Sequence, residues 1–391
     1  MTILFYYEHV ITPTCGGTER VTYILAHELE RRGYRCMYVS WVRNNSKIGD
    51  QTLPNFVLPN DQTLNNRENE IFLHDLIKKE RVDVIINQGA MSAEAEFISK
   101  RYFPEVYIIS CIHYSLFGAL SHMEDILKTG YITRKYGLLG YYFRLLLLPY
   151  YKHRNKVLVV SHYKELLKYS DKVVLLSEYD KQDYPVEGKG KLSVITNPMT
   201  LSGCKQIPKK EKRILWVGRM TYQKRLDYLL RVWKLIQNKY AEWSLELLGE
   251  GDSLVYYKQL AEHWQLKNVF FRGRVDPIPY YKNSSLFCFT SAHEGFGLVL
   301  TEAMAYGCVP IAFDSFASVK DIISEGSTGF LIRPFDVKQY AQKLEELIEN
   351  ETLRKQMAER GMKSLHRFSL EYIADRWEVL LQQVNSEAVR V

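Results

Sequence analysis

Most of the signatures by which a sequence announces a chemistry are missing from this one. Its six cysteines, Cys15, Cys36, Cys111, Cys204, Cys288 and Cys308, form no C-x-x-C pair and stand at no zinc-like spacing from histidine. A disulfide framework and a cysteine-held metal are therefore not expected, and reduced thiols fit a cytosolic chain. No apolar run reaches the roughly 18 residues of a spanning helix; the nearest stretch, 137–151, is interrupted by Arg144 and Pro149. The opening residues, MTILFYYEHV, carry neither a basic n-region nor a long apolar h-region, so no secretory signal is expected. G-x-G-x-x-G and G-x-x-x-x-G-K-[ST] are both absent, which leaves dinucleotide and P-loop readings without support. Also absent are D-x-D, which often holds magnesium on a nucleotide diphosphate, G-x-S-x-G and H-E-x-x-H.

What is present describes a globular α/β protein. At 391 residues, 46% hydrophobic and 25% charged, the chain has room for about two domains. Lys and Arg exceed Asp and Glu by 52 to 45. That is short of the dense basic stripe of a nucleic-acid binder, and no nucleic-acid partner is expected. It fits attraction to phosphate ligands or to an anionic membrane surface. Tyrosine is abundant, 28 against 17 Phe and 6 Trp. Its ring and hydroxyl suit membrane interfaces and sugar sites as well as ordinary half-buried surface.

Short apolar runs at 3–10, 36–42, 82–89, 106–113, 171–178 and 191–198 read as strands, with amphipathic helices at 20–32 and 71–79 between them. The grammar repeats downstream. Strands fall at 212–220, 243–251, 268–273, 286–291 and 309–314, and helices at 226–240, 253–263, 298–306 and 336–349. Strands separated by helices imply βαβ units and parallel sheets. Residues 198–211, with two prolines, a glycine and clustered lysines, read as the linker, and 370–384 is a last amphipathic stretch. The expected domains are 1–203, 204–369 and a terminal helix within 370–391. Ligands of such sheets bind beyond the carboxyl ends of the strands, so the loops there carry the search for function.

The richest loop is SAHEGFGLVLTEAMAYGCVPIAFD, 291–314. A strand ends near Ser291 and a helix opens near Leu298. Gly295 and Gly297 permit close backbone approach, and the amides around Phe296, Gly297, Leu298 and Val299 form an anion-binding helix start. Glu294 precedes that helix and Glu302 lies about one turn into it. Spacing alone equally allows an exposed Glu302 and a Glu294 that serves the helix dipole. In WVGRMTYQK, Gly218, Arg219 and Lys224 follow a strand and could clamp an anion, or could simply be a solvated loop. Gly16 and Gly17 open the first helix, either as a phosphate approach or as a plain tight turn. His113 ends a strand and reads as a substrate donor or as a satisfied structural histidine. Gly249, Gly251 and Arg274 lie in glycine-rich strand ends that could shape a base pocket or only a turn.

In this order, Gly16-Gly17, His113, VGR…K (217–224), GEG (249–251) and E-G-F-G-x-x-x-x-E (294–302) resemble the retaining glycosyltransferases of family 4, which have the GT-B fold. The resemblance implies two Rossmann-like domains facing across a cleft that holds a nucleotide-sugar. Arg219 and Lys224 would hold the donor diphosphate and stabilise the leaving phosphate. Glu302 would bind the ribose hydroxyls. Glu294 would contact the sugar, with the 296–299 amides on the distal phosphate. Gly16 and Gly17 would approach the diphosphate, and His113 would touch the reacting centre. Gly218, Gly249, Gly251 and Arg274 would complete the donor site. The resemblance further implies a UDP-sugar donor, with GDP as the alternative, and neither metal nor other cofactor. The acceptor would be a glycan or lipid-linked, in cell-envelope polysaccharide or glycolipid synthesis, on the cytoplasmic side and peripheral to the inner face of the membrane. A phosphorylase, a nucleotide-sugar epimerase and a non-catalytic binding subunit use related scaffolds. The last helix resembles the family's crossover back to the first domain. Residues 130–170 depart from the family pattern; their Tyr, Leu and basic residues read either as a membrane-surface patch or as packed helices.

Overall fold

The computed structural model describes residues 1–13, 16–42, 50, 52–90, 95–115, 130–184 and 188–388. The chain divides into two compact units. Of the described residues, the first contains 1–115, 153–200 and those from Arg367 onward; the second contains 130–152 and Leu201–His366. Cys15 lies outside the described residues, and the five other cysteines are free thiols.

The first unit is built on a parallel sheet of β1 (Thr2–His9), β2 (Arg35–Val42), β3 (Asn55–Val57), β4 (Val84–Asn87), β5 (Tyr107–Ile112), β6 (Lys172–Leu175) and β7 (Leu192–Val194). Their order across the sheet is β3-β2-β1-β4-β5-β6-β7. Ile3, Leu4 and Phe5 are fully buried, as are Val84, Ile85 and Ile86. Continuous apolar runs of this kind belong to strands covered on both faces. Helices α1 (Gly17–Arg31), α2 (Arg67–Glu80) and α3 (Gly130–Tyr169) lie between the strands in sequence, and α3 counts with this unit from His153 onward. The Asn66 side chain accepts from the Asn69 amide and caps the start of α2. Gly137, at φ 68°, breaks α3 into a short and a long piece.

The second unit repeats the plan. Its strands are β8 (Glu211–Val217), β9 (Ser244–Leu248), β10 (Val269–Gly273), β11 (Ser284–Phe289), β12 (Val309–Phe313) and β13 (Phe330–Ile332). All pair in parallel, in the order β10-β9-β8-β11-β12-β13. The helices are α4 (Leu226–Ile236), α5 (Leu254–His263), α6 (Ile278–Asn283), α7 (Leu298–Ala305), α8 (Val319–Ile322), α9 (Val337–Glu349) and α10 (Glu351–Ser364). The apolar face of α4, with Leu229, Val232, Trp233 and Ile236, packs into a core shared with Trp216 and Leu245.

The last helix, α11 (Leu370–Ala388), belongs to the first unit. Ile373, Trp377, Leu380, Leu381 and Val384 join Leu25, Ala26 and Leu29 of α1 in one buried cluster. Each such side chain contributes about 2 kcal/mol of burial before ordering costs. Arg32 clasps the same joint: it donates to Glu28, Asp375 and Glu378 at 2.7, 2.6 and 2.6 Å.

Several elements escape the periodicity of the sequence. Edge strands β3 and β13 have three residues each, too few for an alternation to register. Helix α10 is polar, burying only Met357, Ala358 and Gly361, so it shows almost no apolar stripe. Pro149 lies inside α3, although proline normally ends a helical reading.

One steric constraint fixes the edge of the second sheet. A Cβ on Gly249, whose φ is 130°, would stand 1.9 Å from the Gly218 carbonyl oxygen. One on Gly251, at φ 153°, would stand 2.6 Å from the Met220 carbonyl oxygen. Gly249→Ala should therefore cost about 3 kcal/mol or more, read as a lowered urea midpoint. Gly190→Ala, where a Cβ meets nothing within 4 Å, should leave the midpoint within about 0.5 kcal/mol of wild type.

Candidate functional site

In the second unit the chain builds β8, β9 and β10 outward on one side and β11, β12 and β13 on the other. The chain order reverses between β8 and β11, and it is outside the carboxyl ends of strands at such a reversal that open α/β sheets take their ligands. Of the residues singled out in the sequence, Lys224 and Glu294 meet there. Lys224 ends a 3-10 turn after β8 and its ammonium donates to the Glu294 carboxylate, in the loop after β11. The two side chains are 19% and 13% exposed, shielded enough for the pair to be only weakly screened. The Lys224 ammonium also stands 5.7 Å from the centre of the Phe289 ring.

Backbone contacts lock these loops together. The Ala292 amide donates to the Gln223 carbonyl at 2.8 Å, and the Gln223 side-chain amide returns to the His293 carbonyl at 2.8 Å. The Thr290 hydroxyl donates to the Lys224 carbonyl at 3.0 Å. On the far side, Ser318 Oγ donates to the Gly295 carbonyl at 2.7 Å and Ser315 Oγ to the Ser291 carbonyl at 2.6 Å. Gly297, at φ 87°, turns the chain into α7. The first amides of that helix, at Leu298 and Val299, have no carbonyl of their own helix to bond. Phe296 is buried beside them.

The remaining members sit differently. Gly218, Gly249 and Gly251 bring the ends of β8 and β9 into backbone contact, with the Gly218 amide on the Leu248 carbonyl at 3.0 Å and the Met220 amide on the Glu250 carbonyl at 2.7 Å. Their first duty is this packing. Arg219 is exposed on the same loop, and Arg274 is exposed just past the end of β10, at the sheet's edge. Glu302 is not the exposed helix residue that spacing allowed. It is 2% exposed, and its Oε2 accepts from the Tyr281 hydroxyl at 3.0 Å.

In the first unit, Gly16 and Gly17 open α1 directly after β1, and a Cβ on Gly16 would meet Glu19 Oε2 at 2.3 Å. His113 follows β5, and its Nε2 faces Gln88 Oε1 at 2.5 Å, just past β4. Burial pushes the imidazole down to about 4, so the ring is neutral at pH 7. Nε2–H then donates to Gln88, and Nδ1, buried and without a hydrogen-bond partner among the described residues, keeps its acceptor lone pair.

Sequence reasoning missed the residues that hold the site in shape. Gln88, Gln223, Thr290, Ser315, Ser318 and Tyr281 act through side-chain hydrogen bonds, and no spacing rule marks those. Arg225 was also missed. It is 2% exposed in a left-handed conformation, with its guanidinium on Asp227 at 3.2 Å and 4.4 Å from the Tyr228 ring centre. Among the described residues, no group of three His, Cys, Asp or Glu side chains could hold a metal ion.

The neutral His113 gives a pH signature. Its folded value of about 4 lies below its ordinary 6.5, so the unfolded chain binds the extra proton between the two. Its contribution to stability is complete above 6.5 and drains away as pH falls towards 4. His113→Gln should remove that part of the slope when urea midpoints are followed through the interval.

Two family models match the chain: one described as Glycosyltransferase Family 4 over 15–202, the other as Glycosyl transferases group 1 over 201–364. An uncharacterized glycosyltransferase of Haemophilus influenzae is 33% identical over 215 residues, covering 54% of this chain and 61% of that protein. The aligned part is thus less than two thirds of that relative's length. An amylovoran biosynthesis glycosyltransferase of Erwinia amylovora is 25% identical over 381 residues, covering 94% and 96% of the two chains. Among solved structures, a Staphylococcus aureus TarM variant superposes with a TM-score of 0.74 at 16% identity, over 97% of this chain and 99% of that one.

Proposed function

We propose, for a chain that belongs to the family 4, group 1 glycosyl transferases and has their GT-B architecture of two parallel-sheet α/β units, that it is a retaining hexosyltransferase. It uses a nucleoside-diphosphate sugar, with UDP the favoured nucleotide, and passes the sugar to a glycan or lipid-linked acceptor in cell-envelope polysaccharide synthesis. The observation that carries the reading is the Lys224–Glu294 pair, which joins the loops after β8 and β11 at the point where the chain order reverses.

The roles follow from charge and position. Bond breaking at the anomeric carbon leaves negative charge on the departing diphosphate. Lys224, Arg219 and the amides at the start of α7 would receive that charge from fixed places. Glu294 holds the Lys224 ammonium in place before the donor arrives, and its carboxylate would then meet the sugar hydroxyls. The Tyr281 hydrogen bond fixes the rotamer of Glu302, the proposed ribose ligand. In the first unit, His113 would present a neutral ring near the reacting centre, and Gly16 and Gly17 would open the start of α1 to the diphosphate. With two cations and helix amides as counter-charge, the transfer would need no metal. The relatives support this reading. The H. influenzae and E. amylovora proteins carry glycosyltransferase names, the latter with amylovoran biosynthesis, and the TarM structure is described as a complex with alpha-GlcNAc-glycerol and UDP. An alpha-glycoside bound beside UDP suits retention.

The test begins with thermal shifts against UDP-, GDP-, ADP- and TDP-sugars, with and without EDTA. One nucleotide should raise Tm by mass action, unchanged by EDTA; no shift with any of them would defeat the donor assignment. Glu302→Gln keeps an acceptor for Tyr281, so it should fold with nearly wild-type Tm yet lose the ligand shift. Lys224→Ala should lower kcat by about 100- to 1,000-fold in transfer assays. Full activity in that variant would remove Lys224 from the chemistry.

A further inference from the structure

Helix α3 presents a surface that the strand-end site does not use. Leu148, Tyr163 and Leu167 are its buried anchors. Leu138, Leu139, Tyr142, Phe143, Leu146 and Tyr150 are between 60% and 88% exposed. Scattered exposed apolar residues are ordinary, but six large ones within four turns of one helix form a patch, and such patches mark interaction surfaces. In the following turns His153, Arg154 and Lys156 are exposed. Charge in this stretch is one-sided: between 130 and 164 the sequence holds seven Lys and Arg and no Asp or Glu.

The occupant follows from that charge. A second copy of the chain, docked about a two-fold axis, would set the same cations against one another. An anionic lipid surface complements them, at a gain that accumulates with each Lys or Arg near the headgroups. Tyr suits the same place, ring towards the acyl boundary and hydroxyl towards the headgroups. Among the described residues, no helix is long and apolar enough to cross a membrane, so the geometry is that of a helix lying in the interface. We propose that the segment 138–156 of α3 docks the protein on an anionic bilayer, with its exposed Leu, Tyr and Phe side chains in the acyl boundary and its cations on lipid phosphates. Such docking would bring the enzyme to an acceptor carried on lipid. That consequence rests on the transferase reading; the docking itself does not.

The test is co-sedimentation of the full chain with vesicles of phosphatidylglycerol and phosphatidylcholine in equal parts, beside vesicles of phosphatidylcholine alone. No nucleotide-sugar is present, so the outcome is separate from that of the donor assays. Binding to the anionic vesicles, released by rising salt, is expected. Leu139→Glu with Leu146→Glu should weaken it at least about tenfold, since it removes apolar area and adds like charge to the lipid. Both positions are exposed, so Tm and the nucleotide shift should stay at wild-type values. Arg154→Gln with Lys156→Gln should weaken binding and flatten its salt dependence. Absence of binding at low salt, or wild-type binding by the Leu139→Glu, Leu146→Glu variant, would overturn the proposal. So would a concentration-dependent dimer, abolished by the same pair of substitutions, in a protein that ignores vesicles; that result would give the face to a second copy.

Discussion

Parallel pairing is the constraint from which the rest follows. A strand that must run alongside its predecessor returns through a helix, and every strand then ends on the same edge of the sheet. In the second unit that edge collects the loops after β8, β9, β10 and β11, and β8 and β11 are neighbours at the point where the order reverses. Residues 70 positions apart in sequence, Lys224 and Glu294, become an ion pair because the topology leaves their loops side by side. The first unit obeys the same rule. Gln88 and His113 face each other because β4 and β5 are neighbours with a common edge.

The site is held more tightly than strand-end loops usually are. Hydrogen bonds from Gln223, Thr290, Ser315 and Ser318 all reach backbone carbonyls of the 224 and 291–295 segments. A cation that must neutralise developing charge works best when it has no reorganisation left to do. The glycines contribute a close backbone approach as well. Gly249 and Gly251 let two strand-end backbones touch, at the Gly218 and Met220 carbonyl oxygens.

Sheets and long helices were legible because they rest on period and glycine position, whereas Lys224 and Glu294 were brought together only by the family resemblance. The βαβ alternation marks the long strands, and the E-G-F-G-x-x-x-x-E stretch marks α7 and both glutamates. What stayed hidden depends on tertiary contact. Spacing leaves Glu302 open between an exposed helix residue and a ribose ligand; its burial and the hydrogen bond from Tyr281, 21 residues earlier, show only in the fold. Arg225 reads as one more cation on a loop, whereas its left-handed backbone and its stacking on Tyr228 make it part of the core. Edge strands such as β13 are too short to carry a pattern of their own, and α10 has too few apolar residues to show a face.

The place of α11 has a consequence for the order in which the chain acquires its structure on the ribosome. Domains generally fold as units, the N-terminal one first, as they emerge. Here Trp377, Leu380 and Leu381 close the core over α1, and the Arg32 clasp has no Asp375 or Glu378 to hold until they appear. The first unit to be translated is therefore the last that can be finished. Throughout synthesis of the second unit, the apolar face of α1 with Leu25 and Leu29 waits uncovered, a standing demand on holding chaperones that a simple two-domain chain would not make.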